Sequence, residues 1–199
     1  MVVLAIIVII TAIAFTSQSS FNKSLILANT AYGVALTIRG AETYGIGSRA
    51  AGLAVNAGYG VNFSKASPGQ FTLFSDTQGS GCHPVTGMPS DLPGNCVYDG
   101  VNERVTTYSL GNGITVKDFC AEQSSGSWDC ATTGNTALSS LDIVFARPNP
   151  DPFISENGAY ASSPGIIAAC LTLSSTAGGA RYVTVNASGA ITANAVSCP

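Results

Sequence analysis

Hydrophobic positions along this chain follow three successive patterns. From Val2 to Ala14 the sequence reads VVLAIIVIITAIA, apolar at every position except Thr11. No charged side chain appears before Lys23. The uncharged run reaching Phe21 approaches the roughly 20 residues that cross a bilayer as a helix. From Leu27 onward the pattern changes. Leu27, Ala31, Val34, Ile38 and Ala41 recur at intervals of four and three, which places them in one stripe on a helix face. Tyr32, Ala35 and Leu36 widen that stripe. Together the two patterns predict one helix from near residue 2 to about Tyr44. Its first half is apolar all round (Val2, Val3, Leu4, Ile6, Ile7, Val8, Ile9, Ile10, Ile13, Phe15) and its second half is amphipathic. Such a helix is roughly 60 Å long. Gly33 and Gly40 each lower its propensity by about 1 kcal/mol, and Gly45, Gly47 and Gly52 close it. A secretory signal peptide is the rival for the apolar run. Against it, no basic residue precedes the run and no clean small-x-small site ends it.

Past Gly45 the period shortens to that of strands. Tyr59 to Phe63 (YGVNF) and Gln70 to Phe74 (QFTLF) are β-rich runs split by the turn signal Ser67-Pro68-Gly69. Val105 to Leu110 and Ile114 to Phe119 flank Gly111-Asn112-Gly113, a hairpin signal because Asn-Gly favours positive φ. Leu141 to Phe145 is a further strand, stopped by Arg147-Pro148-Asn149-Pro150, where two prolines remove ladder donors. Ile166 to Leu173, Tyr182 to Val185 and Ala190 to Thr192 complete the set. The stretch from Gly79 to Gly100 is rich in Gly and Pro and is read as a long surface loop.

Composition narrows the class. Only 10% of the 199 residues are charged, against about 25% in an ordinary soluble domain. That excludes a coiled coil and a charge-rich disordered tail. The net charge is −3 and the eight Lys and Arg stand singly, so no basic stripe for nucleic acid is expected. Six cysteines, Cys82, Cys96, Cys120, Cys130, Cys170 and Cys198, form no CxxC pair, which removes zinc-ribbon and thioredoxin chemistry. Their even number in a Ser/Thr/Gly-rich chain points to disulfides and an oxidising compartment. The simplest pairing joins sequence neighbours, Cys82 with Cys96, Cys120 with Cys130 and Cys170 with Cys198. Buried free thiols are the alternative.

Candidate chemistry is sparse, and no cofactor or metal is expected. Ser20-Phe21-Asn22-Lys23 has the Ser-x-x-Lys spacing that sets a hydroxyl beside an amine, but no second catalytic string accompanies it, so it reads as helix surface. Asp76-Thr77-Gln78-Gly79-Ser80-Gly81 supplies one carboxylate where a calcium loop needs several. Asp91, Asn95 and Asp99 form an equally weak oxygen-ligand set. The single histidine, His83, reads as an exposed loop residue. Trp128 reads as packing over a Cys120–Cys130 bridge. Asn22, Asn62 and Asn186 each begin an Asn-x-Ser triplet, a pattern common by chance.

In order along the chain, several strings carry a family resemblance: VVLAIIVIITAIA, LANTAYGVALTIRGAETYGIGSR, YGVNF with FTLFSD, LDIVFARPNPDPFI, and RYVTVNASGAI. Their succession resembles the type IV pilin-like proteins of the GspH/FimT type, the minor pilins and minor pseudopilins, over nearly the whole chain. The resemblance implies an α+β, pilin-like fold: a long N-terminal helix packed on a small antiparallel β-sheet or sandwich head. It implies a membrane-spanning part at residues 1–22, an amphipathic helix at 23–52 and an extracytoplasmic β-rich head at 53–199. Leu27, Ala31, Val34, Ile38 and Ala41 would dock on the head. The implied function is structural rather than enzymatic, as a subunit of a type IV pilus or type II secretion filament. Its partners would be other pilin or pseudopilin subunits, and the lipid bilayer before assembly, with no nucleic acid. It would be a single-pass membrane protein and, once assembled, part of a cell-surface or periplasmic filament. Aligned on VVLAII, Met1 falls about six residues past the family's mature start, so the leader, cleavage glycine and early glutamate have no counterpart in this sequence. Two other readings remain open. One is a DNA-binding minor pilin for uptake, which needs a basic patch; the other is a membrane-anchored hydrolase using Ser20.

Overall fold

The computed structural model describes residues 2–47, 49–50, 52, 56–79, 82, 93–132, 137–160, 165–176, 178–193 and 197–198, without the side chains of residues 12–20 and 149. Helix α1 (Val2–Ile46) is followed by β1 (Gly58–Ser64), β2 (Gln70–Asp76), β3 (Arg104–Ser109), β4 (Ile114–Gln123) and β5 (Trp128–Cys130). Then come β6 (Ser140–Ala146), β7 (Asn149–Glu156), β8 (Ile166–Ser175), β9 (Ala180–Asn186) and β10 (Ile191–Ala193). The strands form two five-stranded sheets, ordered β3-β2-β1-β6-β7 and β10-β9-β8-β4-β5. Every pairing within them is antiparallel.

Alternation of side chains builds the core. In β1, Tyr59, Val61 and Phe63 point one way, and Leu141, Ile143 and Phe145 of β6 lie on the same face. Phe119 and Ala121 of β4, Ala169, Leu171 and Leu173 of β8, and Val183 and Val185 of β9 answer from the second sheet. The second half of α1 lies against β1 and β6 of one sheet and β8, β9 and β10 of the other. Its stripe of Leu27, Ala31, Val34, Ile38 and Ala41 is buried in the core that both sheets share. Arg39 Nη2 donates to the Ile191 carbonyl at 3.0 Å, and Arg181 Nη2 to the Ser24 hydroxyl at 3.1 Å, pinning the helix to the second sheet. A smaller apolar cluster of Phe74, Cys82, Cys96, Val144, Ala146 and Phe153 forms on the opposite face of the first sheet.

This architecture corrects the expected fold class. The molecule is mostly β: two full five-stranded sheets carry the core together with the second half of α1, where a long helix on a small sheet was expected. The expected localisation is corrected with it. Among the described residues no helix is long and apolar enough to cross a membrane, so a single-pass membrane protein is not supported. The physical reason lies in counting uncharged residues as apolar. Thr16-Ser17-Gln18-Ser19-Ser20 follows Phe15 directly. The apolar run from Val2 to Phe15 therefore covers roughly 21 Å at about 1.5 Å per residue, short of the roughly 30 Å hydrocarbon core.

Three local expectations also differ. The strands on either side of Gly111-Asn112-Gly113 do not pair: β3 joins β2 and β4 joins β8, so the turn carries the chain between sheets. All three residues have positive φ, at 64°, 50° and 67°, one more than a two-residue hairpin turn uses. The prolines after β6 do not end the sheet. The chain reverses at Arg147–Pro148, and β7, with Pro150 and Pro152 in it, pairs with β6 as an edge strand, where proline is tolerated. Finally, β4 runs on past Phe119, where the sequence pattern ends that strand, to Gln123 and returns as β5, so Cys120–Cys130 spans a short hairpin.

Candidate functional site

The apolar start of α1 is the most unusual surface. Val2, Val3, Leu4, Ile6, Ile7, Val8, Ile9 and Ile10 are 50–74% exposed. They occupy nearly every position over more than two turns, so the helix is apolar and uncovered on all sides there. Such continuous exposure is uncommon on a monomer. Its backbone is satisfied within the helix, and Thr11, the one polar side chain of that run, returns its hydroxyl to the Ile7 carbonyl at 2.9 Å. Ile13 and Phe15, assigned to the same surface from the sequence, lie outside the described side chains. Past them Phe21, Leu25, Tyr32 and Leu36 remain exposed on the outer side of α1, away from the buried stripe.

The cysteines are joined as Cys82–Cys96, Cys120–Cys130 and Cys170–Cys198. Cys130, Cys120 and Cys170 stand in one cross-strand row over β5, β4 and β8. Cys170–Cys198 ties residue 198 to β8, and Cys82–Cys96 packs with Phe74, Val144 and Phe153 on the outer face of the first sheet.

That loop explains the residues read as calcium candidates. Asp76, at the end of β2, accepts the Asn95 N–H at 3.0 Å through Oδ1 and the Cys96 N–H at 2.8 Å through Oδ2. Glu103 completes the clamp: Oε1 accepts the N–H groups of Thr77 and Gln78 at 2.8 and 2.7 Å, and Oε2 that of Asp99 at 2.8 Å. Asn95 Nδ2 donates to Asp99 Oδ2 at 2.8 Å. These carboxylates accept backbone N–H groups of the loop. A Cβ at Gly94 (φ +116°) would fall on the Asp76 carboxylate, so the loop closes only with glycine there. Burial pushes the Asp76 carboxyl up to about 7 against the pull of its two N–H donors, and the Glu103 and Asp99 charges add to the rise. Asp91, Ser80, Gly81 and His83 fall outside the described residues.

The remaining candidates are dispersed. Lys23 is exposed on α1, and the Ser20 side chain is outside the described set. Trp128 is half-buried on β5 opposite Glu122. Asp76 and Asp118 each lie near two cysteine sulfurs, but those sulfurs are bonded to one another and leave no thiolate ligands. The cations are engaged at separate places: Lys65 with the Ala131 carbonyl, Arg147 with Asn56, and Arg49 over the Tyr44 ring. Sequence reasoning missed Glu103 and Asp142, both fully buried acids. Asp142 lies inside the apolar run LDIVF, and that position was its only signal, since a charge there has no benign place in a two-sided sheet.

No family model matches this chain, and no curated protein or solved structure matches it either.

Proposed function

We propose that this chain is a structural subunit of a filament of the type IV pilus or type II secretion kind, a minor pilin or pseudopilin rather than an enzyme. One observation carries the reading: the helical segment from Val2 to Ile10 exposes large apolar side chains all round, and none of the described residues covers them. Apolar surface left in water is disfavoured by about 25 cal/mol per Å², so this segment has a standing drive to be covered. A helix is suited to that use because its backbone bonds are internal and only side chains meet the partner. In a filament the partner is the same segment of neighbouring subunits, bundled at the centre, with the two β-sheets outside. The resemblance in the order of the local strings supports the same reading.

The test compares the full chain with Ile7→Asp and with a chain lacking residues 2–15, by sedimentation and negative-stain imaging. The full chain is expected to form large ordered assemblies, and both variants to remain monomers with an unchanged melting temperature. Assemblies that persist in both variants would overturn the proposal.

A further inference from the structure

The outer face of the first sheet carries a row of polar residues that the filament reading does not use. Thr107 of β3, Thr72 of β2, Asn62 of β1, Asp142 of β6 and Ser155 of β7 are successive cross-strand partners. Directly opposed residues share a face, so the row crosses all five strands. Asn62 Nδ2 donates to Asp142 Oδ1 at 2.8 Å, and the Thr72 and Thr107 hydroxyls stand 3.5 Å apart. Asp142 is only 1% exposed; Asn62 and the Tyr98 N–H act on its carboxylate, yet its Oδ2 has no partner at hydrogen-bond geometry, and neither has the buried Ser155 hydroxyl beside it. A buried acceptor left open costs free energy that a sheet of this quality ordinarily avoids.

Asn62, Thr72, Thr107 and Asp142 also line a cavity of about 380 Å³, within the size range of small-molecule sites. Its wall identifies the chemistry. Ser64, Ser67, Ser140 and Gln70 add hydroxyl and amide groups, which both donate and accept. Phe71 and Tyr98 add aromatic surface, and Arg104 adds fixed donors. An anion is disfavoured by the Asp142 carboxylate, with Asp99 and Glu103 near enough to act on it. A divalent cation wants several carboxylate oxygens together, and among the described residues no group of three acids converges here. Arg104 opposes it as well. A large apolar ligand would strand the hydroxyls.

We propose that this cavity binds a neutral carbohydrate of one or two sugar rings, with a ligand hydroxyl donating to the Asp142 carboxylate. Asn62 holds that carboxylate in place through its other oxygen. The Thr72 and Thr107 hydroxyls continue the row of donors and acceptors towards the edge strand β3. Neither association of the α1 segment nor its failure bears on this site, which lies wholly on the first sheet and the loop that covers it.

Saturation-transfer NMR on the full chain tests it, with glucose, galactose, mannose, N-acetylglucosamine, lactose and cellobiose as probes at millimolar concentration. Transfer to at least one probe is expected. It should weaken by about tenfold in affinity in Asp142→Leu and measurably in Thr107→Val, which sits on an exposed edge strand and keeps the fold. Folding of both variants is followed by circular dichroism, and Thr107→Val decides the matter if Asp142→Leu does not fold. Absence of transfer from all six probes would overturn the proposal. So would transfer unchanged in Thr107→Val, or Asp142-dependent binding of Ca²⁺ in place of any sugar.

Discussion

Gly45 sits in the last turn of α1 where the helix meets β6. A Cβ there would collide with the backbone carbonyl of Phe145, whereas one at Gly33 or Gly40 meets nothing within 4 Å. Replacing Gly45 with Ala is therefore expected to cost about 1–3 kcal/mol through overpacking, despite the gain in helix propensity. Gly33→Ala and Gly40→Ala should each stabilise by about 0.5–1 kcal/mol. Urea unfolding of the three variants checks the opposite signs; equal effects would mean that the close approach of helix and sheet does not govern Gly45. In sequence the three glycines look alike, and only the packing partner separates them. The buried acids give a second prediction at this scale. Burial pushes the Asp142 carboxyl up to about 7, against the pull of its Asn62 and Tyr98 donors, as it does for Asp76. Both are raised above the unfolded-chain value, so protonation favours the folded state. Their contribution is complete below about pH 4 and is lost as pH rises through 7. The melting temperature should thus be higher at pH 5 than at pH 8, and Asp142→Asn should flatten that slope and raise stability at pH 8. A profile that Asp142→Asn leaves unaltered would assign the dependence elsewhere.

Elements were legible to different degrees for a single reason: how much of each one's pattern is local. The four-three spacing from Leu27 to Ala41 is a property of one helix, and it marks the residues that the structure buries. Ile38, fully buried among both sheets, is expected to cost about 2–5 kcal/mol when cut to Ala, measured as a fall in the denaturation midpoint with unchanged slope. A fall within the error of a surface substitution would remove the stripe from the core. Turn chemistry was equally plain at Gly111-Asn112-Gly113, but the partner of each flanking strand was not. Residue types around a turn set its dihedrals; which sheet receives the strand depends on β2 and β8, which lie far away in sequence. The β7 prolines show the complementary case. A proline forbids a central strand but not an edge, and edge position belongs to the sheet rather than to the segment. Disulfides gave a similar division. Linking Cys170 to Cys198 closes a separation of 28 residues, and Cys170→Ser with Cys198→Ser is expected to cost about 2–4 kcal/mol, read from thermal unfolding against the parent. An equal melting temperature would show that β8 holds the C-terminal end without the bridge.

At the scale of the molecule, two sheets and half a helix enclose one core, and the start of the helix is left outside it. The contrast between these two halves of α1 is what the assembly proposal uses. Substitutions before Ile10 should alter association without altering the melting temperature, while those in the stripe should do the reverse. Finding both effects coupled in either half would mean that the apolar segment folds back onto the sheets.

The sequence by itself determined the helix stripe, the strand segments, the cysteine-rich character and the exposed apolar run, because each is written in residues a few positions apart. Tertiary structure decided the rest. It set β pairing across long separations, made β7 an edge, turned Asp76, one of the suspected calcium ligands, into a clamp on backbone N–H groups, and gathered Thr107, Thr72, Asn62, Asp142 and Ser155 into a single row. Those five come from five different strands, and no spacing in the chain records that they meet. Their alignment follows from register, which each strand acquires only when its apolar face is committed to the shared core.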